Sequence, residues 1–429
     1  MYALTMVRSL TRRSNRLLPS ALLVVALTAG PRSSAAQLVL GQYEDEAPLR
    51  TWNVLGPVGA VSLGLGETGF ALAADMTGAF VNPALLARLP KLTVTLAGSL
   101  SAAELYRFSV LNTGVLESTA NARTDSTALD FGGASFRWRG WTLGISAGLT
   151  ADYARPRVFY EYSSSGALLY SLSSTQAGFR RTFQASVARD LGSRLALGVG
   201  FNLSDGRLER RVEEENYGGG YSILDDKTQE LRGFFLTAGL VWEPLAGLRL
   251  GAAVRTPQTL NADGQSLLQY AASPAGTLIE ISAEAEDAYD EPWMAGAGLT
   301  WAIGPRLLAA ADVAYFAWSD YRASYFDEPL RRDFRDIVRF GAGVQYRLPA
   351  SLFGRRVLFP LRAGFVYDPQ PMSAPRSAYR LLTLGTGLAL DNIRLDIGLL
   401  VGSERGSGRD LAVRRVALTV SYVLAGERR

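Results

Sequence analysis

The chain has 429 residues, carries 44 Lys and Arg against 40 Asp and Glu, and contains neither Cys nor His. The missing Cys excludes disulfides, thiolate catalysis and a lipoprotein anchor, and the missing His excludes Ser–His hydrolysis, His-ligated metals and imidazole acid–base catalysis. We therefore expect no catalytic residue and no metal site, and a protein that is not an enzyme.

Residues 1–36 have the pattern of a secretory signal peptide. Arginines precede an apolar run from Leu17 to Ala29, which is too short to span a bilayer as a helix, and Ser34-Ala35-Ala36 suits a signal peptidase. Cleavage would remove five arginines and no acid, leaving 39 basic residues against 40 acidic ones. The nearly neutral mature chain gives no reason to expect a nucleic-acid partner.

Residues 37–90 precede the first predicted strand. The part from 61 to 90 is rich in Gly and Ala and lacks the alternation of a strand. Asn82 suits the N-cap of a short helix and Pro83 its first position, where the missing N–H costs nothing, and Pro90 would end the turn.

From residue 91 onwards the chain is divided into segments of strand length with a period of two. Between Trp141 and Tyr153 the apolar residues occupy one set of alternate positions, and Gly, Ser and Thr occupy most of the other. The apolar set is aromatic at both ends, which is typical of a barrel that faces lipid between two aromatic girdles. A soluble β-sandwich is the alternative, but it does not explain aromatic strand ends and long polar loops on one side only.

The pattern predicts about fourteen antiparallel strands, each long enough to cross a bilayer at a tilt. They are 91–101, 128–139, 141–153, 179–190, 194–204, 231–242, 248–256, 292–302, 306–318, 337–348, 357–367, 379–390, 393–402 and 413–424. Tight turns alternate with long connections, so both ends would lie in the periplasm. We predict an all-β transmembrane barrel over residues 91–429, in the outer membrane of a Gram-negative-type bacterium. We also expect a β-bulge at Gly132-Gly133.

A lumen of this width leaks unless something fills it. We therefore predict that residues 37–90 form a periplasmic N-terminus and a plug within the lumen; the alternative is a periplasmic linker with one capped turn. Alternation turns Gly198, Gly296 and Arg347 inward with their small or polar neighbours.

Two groups of residues are candidates for binding a ligand. Exposed apolar patches usually mark interaction sites, and the connection 257–291 carries Leu267, Leu268 and Tyr270. Alternation points Arg255, Arg339 and Arg362 into the lumen, where each could pair with a carboxylate-bearing ligand. The alternatives are that the apolar residues only extend a hairpin above the membrane, and that the arginines pair with Asp312 or Asp396.

Residues 61–90 resemble the start of the FadL/TodX family of outer-membrane transporters of hydrophobic compounds. The resemblance is carried by Ser62-Leu63-Gly64-Leu65-Gly66, Ala71-Leu72-Ala73-Ala74-Asp75 and Asn82-Pro83-Ala84-Leu85. It implies a plug that includes Gly64, Gly66, Asp75, Asn82, Pro83 and Ala84.

The resemblance also implies passive uptake of a hydrophobic ligand of the fatty-acid or hydrocarbon type, without a cofactor or an energy source. The ligand binds at the outer loops, enters the lumen and leaves sideways into the membrane when the plug shifts. We expect a monomer surrounded by outer-membrane lipid. Asp75-Met76-Thr77 departs from the two adjacent acids and Ser of many members, and the chain continues beyond Tyr422 to Arg429. The same start is similar to PorV-type barrels, so a role in secretion or surface attachment stays open, as does a general porin.

Overall fold

The structure is a computed structural model that describes residues 59–105, 111–112, 115–118, 122–164, 166–272, 277–325, 328–330, 333–352, 355–374, 376–406 and 411–424. The predicted signal peptide and residues 37–58 lie outside the described residues. Within the described ranges, no helix is long and apolar enough to cross a membrane.

Four short helices and 21 strands make up the described chain. The helices are α1 Ala60–Gly64, α2 Met76–Val81, and the 3₁₀ turns Pro83–Arg88 and Trp318–Asp320. The strands are β1 Leu92–Leu105, β2 Leu111–Asn112, β3 Val115–Ser118, β4 Ala122–Trp138, β5 Trp141–Asp152, β6 Arg155–Ser164, β7 Ala167–Leu191, β8 Leu195–Asn216, β9 Tyr221–Leu245, β10 Leu248–Arg255, β11 Gln258–Ala272, β12 Thr277–Glu291, β13 Met294–Ile303, β14 Leu307–Phe316, β15 Arg322–Tyr325, β16 Glu328–Leu330, β17 Ile337–Leu352, β18 Arg355–Pro369, β19 Ala378–Leu390, β20 Ile393–Arg405 and β21 Ala412–Leu424.

Fourteen of these strands close into one antiparallel barrel. The barrel consists of β1, β4, β5, β7, β8, β9, β10, β13, β14, β17, β18, β19, β20 and β21, and each pairs with the next. The first and last strands pair from Leu92–Leu424 to Glu104–Ala412, which closes the ring. The predicted fold and all fourteen predicted strands are confirmed.

The outer surface of the barrel is apolar and the inner surface is small or polar. On β21, Val416, Leu418 and Val420 are exposed, whereas the intervening Ala417 and Thr419 are buried. Exposed aromatic residues lie near both ends of the wall: Trp138, Trp141, Trp242, Trp301, Tyr346 and Tyr422 at the short-turn end, and Trp293 and Tyr367 at the other. This is the lipid-facing arrangement that the alternation predicts.

Three strands continue far beyond the lipid-facing belt. β7, β8 and β9 have 25, 22 and 25 residues, and β6, β11 and β12 extend the same sheet. The predicted strands 179–190, 194–204 and 231–242 cover only their membrane halves. In the outer halves both faces carry polar residues, as in Glu213-Glu214-Glu215, so the apolar alternation ends although the pairing continues.

Some predicted orientations are wrong. The bulge of β4 lies at Asp130, between the pairs Phe131–Ala97 and Leu129–Gly98, and not at Gly132-Gly133. The predicted lipid-facing positions Leu149 and Ala151 are buried, and the register of β5 against β7 shifts between them. Arg347 is exposed at the short-turn end of β17, so its predicted inward orientation stays a prediction.

Candidate functional site

Residues 59–90, here called the N-terminal segment, lie inside the barrel. Their contacts with the wall are so close that several wall positions must be Gly. A Cβ atom on Gly239, Gly251 or Gly296 would lie 1.9 Å from an atom of Asn82 or Phe70. Inward glycines on several strands therefore make the space that the N-terminal segment occupies.

Asn82 joins the two halves of the N-terminal segment to the wall. Its Oδ1 accepts a hydrogen bond from the Ala84 N–H (3.1 Å), which caps the 3₁₀ turn that starts at Pro83. Its Nδ2 donates to the carbonyl oxygens of Phe70 (2.7 Å) and Leu240 (3.1 Å). The predicted capped turn is present, and its cap also bonds to β9.

Polar side chains all around the barrel hold the backbone of the N-terminal segment. The Thr419 and Thr383 hydroxyls accept from the N–H groups of Ala60 (2.8 Å) and Gly66 (3.1 Å). Asp312 accepts hydrogen bonds from the N–H groups of Gly69 and Phe70. Gln184 donates to the Phe80 carbonyl, and Arg339 forms a salt bridge with Glu67. Because these anchors lie on strands across the barrel, the N-terminal segment is fixed on all sides.

The six residues of the predicted plug all lie in the N-terminal segment and are buried. Gly66 has φ +73°, and a Cβ atom at this position would lie 2.3 Å from the Ala342 carbonyl oxygen. Both the backbone conformation and the lack of space therefore require Gly. Asp75 accepts from the Thr77 N–H (2.8 Å) and caps α2. Gly64 lies against Gly385, while Pro83 and Ala84 lie against Gly198.

A cavity of about 450 Å³, including its open side, lies between the N-terminal segment and the barrel wall. Most of its lining is apolar, and the residues are Phe70, Phe80, Val81, Thr150, Phe235, Thr237, Ala253, Val254, Arg255, Met294, Ala295 and Gly296. The arrangement suits an apolar ligand with at most one polar end.

One charged cluster borders the cavity. Arg255 Nη2 lies 2.6 Å from Glu291 Oε2 and its guanidinium lies 4.0 Å from the centre of the Phe235 ring. The other Glu291 oxygen lies 2.5 Å from Arg180 Nη1, and Gln258 donates to Glu291 as well. Two arginines therefore face a single carboxylate, which leaves an excess positive charge beside an apolar cavity.

Glu291 lies outside the fourteen barrel strands, at the last position of β12. Its burial opposes ionisation, but the positive charges of Arg180 and Arg255 and the hydrogen bonds from Arg180 and Gln258 outweigh it and hold its pKa at about 2. The cluster therefore keeps its charges throughout the neutral and mildly acidic range.

The structure separates the other predicted ligand residues from this cavity. Arg339 binds Glu67, and Arg362 Nη1 lies 2.8 Å from Asp396, the pairing that the sequence left as an alternative. Leu267, Leu268 and Tyr270 lie on the β11–β12 hairpin of the outer sheet, where Tyr270 stacks on Tyr221. Of the six predicted residues, Arg255 alone is among the residues that line this cavity.

The wall is incomplete beside the cavity. The pairing of β4 with β5 ends at Phe131–Gly148, so the outer parts of the two strands are not paired with each other. From Gly148 to Asp152 every residue of β5 is buried, and Thr150 lines the cavity. Across this gap, Ser126 Oγ donates a hydrogen bond to Asp152 Oδ2 (3.0 Å). The two strands are therefore joined here by a contact between side chains and not by backbone pairing.

Comparisons with known proteins agree with this architecture. The model of a family described as outer membrane protein transport protein (OMPP1/FadL/TodX) matches residues 60–401. No curated protein matches the chain.

Several solved structures share the fold. A FadL homologue of Pseudomonas aeruginosa is 13% identical, with a TM-score of 0.63 over 86% of this chain and 99% of its own. The toluene transporter TbuX of Ralstonia pickettii is 17% identical, with a TM-score of 0.60 over 86% and 98%. The toluene transporter TodX of P. putida is 15% identical, with a TM-score of 0.63 over 87% and 100%.

Proposed function

Because the chain belongs to the OMPP1/FadL/TodX family of outer membrane transport proteins, we propose that it carries hydrophobic or amphipathic small molecules across the outer membrane by passive diffusion. The observation that carries the proposal is the apolar cavity between the N-terminal segment and the wall. The ligand binds there because removal of its apolar surface from water is favourable, so transport needs no cofactor or energy source.

The charged border of the cavity bears on the ligand class. The apolar body of the ligand packs against Phe70, Phe235 and Met294, and a carboxylate at its end pairs with Arg255. Fatty acids have this form. Because TbuX and TodX are toluene transporters that share the fold, monoaromatic hydrocarbons are the second class to test.

The outer sheet provides the first contact for the ligand in this proposal. Leu267, Leu268 and Tyr270 present apolar surface above the membrane, and Tyr270 is exposed. From there the ligand moves down to the cavity, where the N-terminal segment acts as a plug below it. The close packing of this segment favours a transporter over an open general porin.

The ligand leaves through the wall and not through the plug. Thr150 lines the cavity at the place where β4 and β5 are unpaired, whereas the N-terminal segment is anchored on many strands. A shift of the plug near Phe80 and Val81 would connect the cavity to this gap. The exit then delivers an apolar ligand directly to the hydrocarbon of the membrane.

A reversible cross-link tests the lateral exit. The chain has no Cys, so S126C/D152C creates a single disulfide pair across the gap, in place of the present 3.0 Å hydrogen bond. We expect oxidation to slow the uptake of labelled oleate or toluene by cells that lack their own transporter, and reduction to restore it.

The matched control is T95C/S421C, which cross-links β1 to β21 where the wall is already paired. Its oxidation should leave uptake unchanged. Equal uptake by the oxidised and reduced S126C/D152C protein would refute a lateral exit. Absence of any ligand uptake by the unmodified protein would refute the transport function itself.

A further inference from the structure

The short-turn end of the barrel, which is periplasmic in outer-membrane barrels, carries a strong positive charge on its exposed surface. Among the described side chains, its exposed basic residues are Lys91, Arg139, Arg189, Arg194, Arg306, Arg347 and Arg394. Within the part of this end that the structure describes, the exposed acid is Asp391. At the opposite end, exposed acids such as Glu213, Glu215 and Glu230 accompany the arginines.

The other acids of the short-turn end do not neutralise this surface. Asp190 and Glu243 are turned toward the N-terminal segment, where both bind Arg88. Glu243 also binds Arg249, with 2.8 Å between Oε1 and Nε. Within the described residues, neither Arg139 nor Arg189 forms a salt bridge, so their charges face outward uncompensated.

Two of these arginines lie on tryptophans that face lipid. The Arg139 guanidinium carbon lies 4.9 Å from the centre of the Trp138 ring, and that of Arg189 lies 4.8 Å from the Trp141 ring. The two tryptophans are register partners on β4 and β5, and Arg189 is the partner of Trp141 on β7. Both indoles are about half exposed on the outer surface.

Lys91 completes the cluster. The Arg137 N–H donates to the Lys91 carbonyl (2.9 Å), so the start of β1 lies beside the end of β4. Arg139 occupies a two-residue turn with φ +48°, a backbone conformation that Asn or Gly adopts more readily. An Arg at this position therefore costs conformational energy that Asn or Gly would not cost.

We propose that Lys91, Arg139 and Arg189, with Trp138 and Trp141, bind the head group of an anionic phospholipid in the periplasmic leaflet. The indoles lie at the boundary between hydrocarbon and water, which is where aromatic girdles lie in such barrels. A cation stacked on an indole at this depth is level with the lipid phosphates, and long basic side chains reach them while their stems stay in hydrocarbon. Clusters of Lys and Arg at a membrane surface favour anionic lipids.

Native mass spectrometry of the detergent-solubilised protein tests this site, with phosphatidylglycerol and phosphatidylcholine as the probes. We expect tighter binding of phosphatidylglycerol by the unmodified protein. R139Q/R189Q should weaken phosphatidylglycerol binding by roughly fivefold for each charge removed, and more than tenfold in all. R139K/R189K keeps both charges and should retain most of the affinity.

R181Q is the matched control. Arg181 also stacks on a lipid-facing ring, 4.7 Å from the centre of Phe179, but it lies at the opposite end beside its register partner Asp205. Its substitution should leave phosphatidylglycerol binding unchanged. The proposal is overturned if both lipids bind equally, if R181Q has the same effect as R139Q/R189Q, or if R139Q/R189Q changes nothing.

The acidic run Glu44-Asp45-Glu46 of this chain is the other candidate for covering the basic surface. A variant that carries E44Q, D45N and E46Q should bind phosphatidylglycerol as the unmodified protein does. A tenfold gain in affinity would show that the chain's own acidic segment occupies the site, and would overturn the lipid assignment.

Discussion

Substitution of Asn82 by Ala tests how firmly the N-terminal segment is held. The change removes the cap of the 3₁₀ turn and the two hydrogen bonds from Nδ2 to the carbonyls of Phe70 and Leu240. Each buried hydrogen bond contributes about 1 kcal/mol and an N-cap roughly as much, so the loss is about 3 kcal/mol. The fraction of molecules with this part of the N-terminal segment detached should rise about a hundredfold.

Hydrogen exchange followed by mass spectrometry measures this opening directly. Peptides that cover residues 82–89 should lose about two orders of magnitude of protection in N82A, because local opening sets their exchange rate. Peptides from β17–β21 should keep theirs, since the barrel pairing is untouched. A planar bilayer should show brief conductance steps in N82A that the unmodified protein lacks.

The matched control is N261A, because Asn261 is exposed on the outer face of β11. It should change neither exchange nor conductance. Protection of residues 82–89 within twofold of the unmodified protein, in a folded N82A barrel, would refute the assignment of Asn82 as an anchor of the N-terminal segment.

Three further predictions concern the cavity, the charged cluster and the glycines of the wall. R255Q should reduce the uptake of oleate at least tenfold and leave toluene uptake nearly unchanged, because only oleate has a carboxylate to pair with the Arg255 guanidinium. Equal losses for both ligands would contradict this role of Arg255. The pKa of Glu291 is depressed to about 2 from an ordinary 4.5, so its contribution to stability is present above about pH 5 and is lost as the pH falls toward 2. E291Q should flatten this part of the thermal stability curve measured between pH 2 and 7, and an unchanged curve would count against the cluster. G239A should loosen the N-terminal segment in hydrogen exchange, since its Cβ would lie 1.9 Å from Asn82 Oδ1, whereas G132A, with its nearest neighbour at 3.5 Å, should have no effect.

The membrane part of the fold was predictable from sequence because each strand has one face in lipid and one in the lumen. Gly198, Gly200 and Asn202 alternate with Leu197, Val199 and Phe201, and this contrast fixes both the strand and its orientation. Strands cannot be predicted from this pattern where the two faces no longer differ in polarity. The outer halves of β7, β8 and β9 are polar on the outer face, so their length could not be read from the sequence.

Bulges are the second cause of error, since one extra residue reverses every later orientation. Asp130 breaks the register of β4 and pairs with Arg415 across β1, with 2.6 Å between their charged atoms. Asp130, an acid between the apolar Leu129 and Phe131, was the signal that could have placed the bulge. Nothing comparable marked the shift at Leu149–Ala151.

The candidate site was predictable only in part, because its residues come from distant parts of the chain. Asn82 and Arg255 were identified from local pattern and alternation. Glu291 could not be identified, since its partners Arg180 and Arg255 are 111 and 36 positions away in the sequence. Phe235 carried a weak signal, since an aromatic side chain at an inward strand position is an exception to a small or polar lumen.

The most direct test of the account is the position of a bound ligand. Crystals grown with 12-bromododecanoic acid or with 4-bromotoluene would locate each ligand through the anomalous signal of its bromine. The account predicts a bromine peak inside the cavity, in contact with Phe70, Phe235 or Met294, and a carboxylate of the acid at Arg255. Bromine peaks confined to the outer lipid-facing belt, with the cavity empty at saturating ligand, would contradict it.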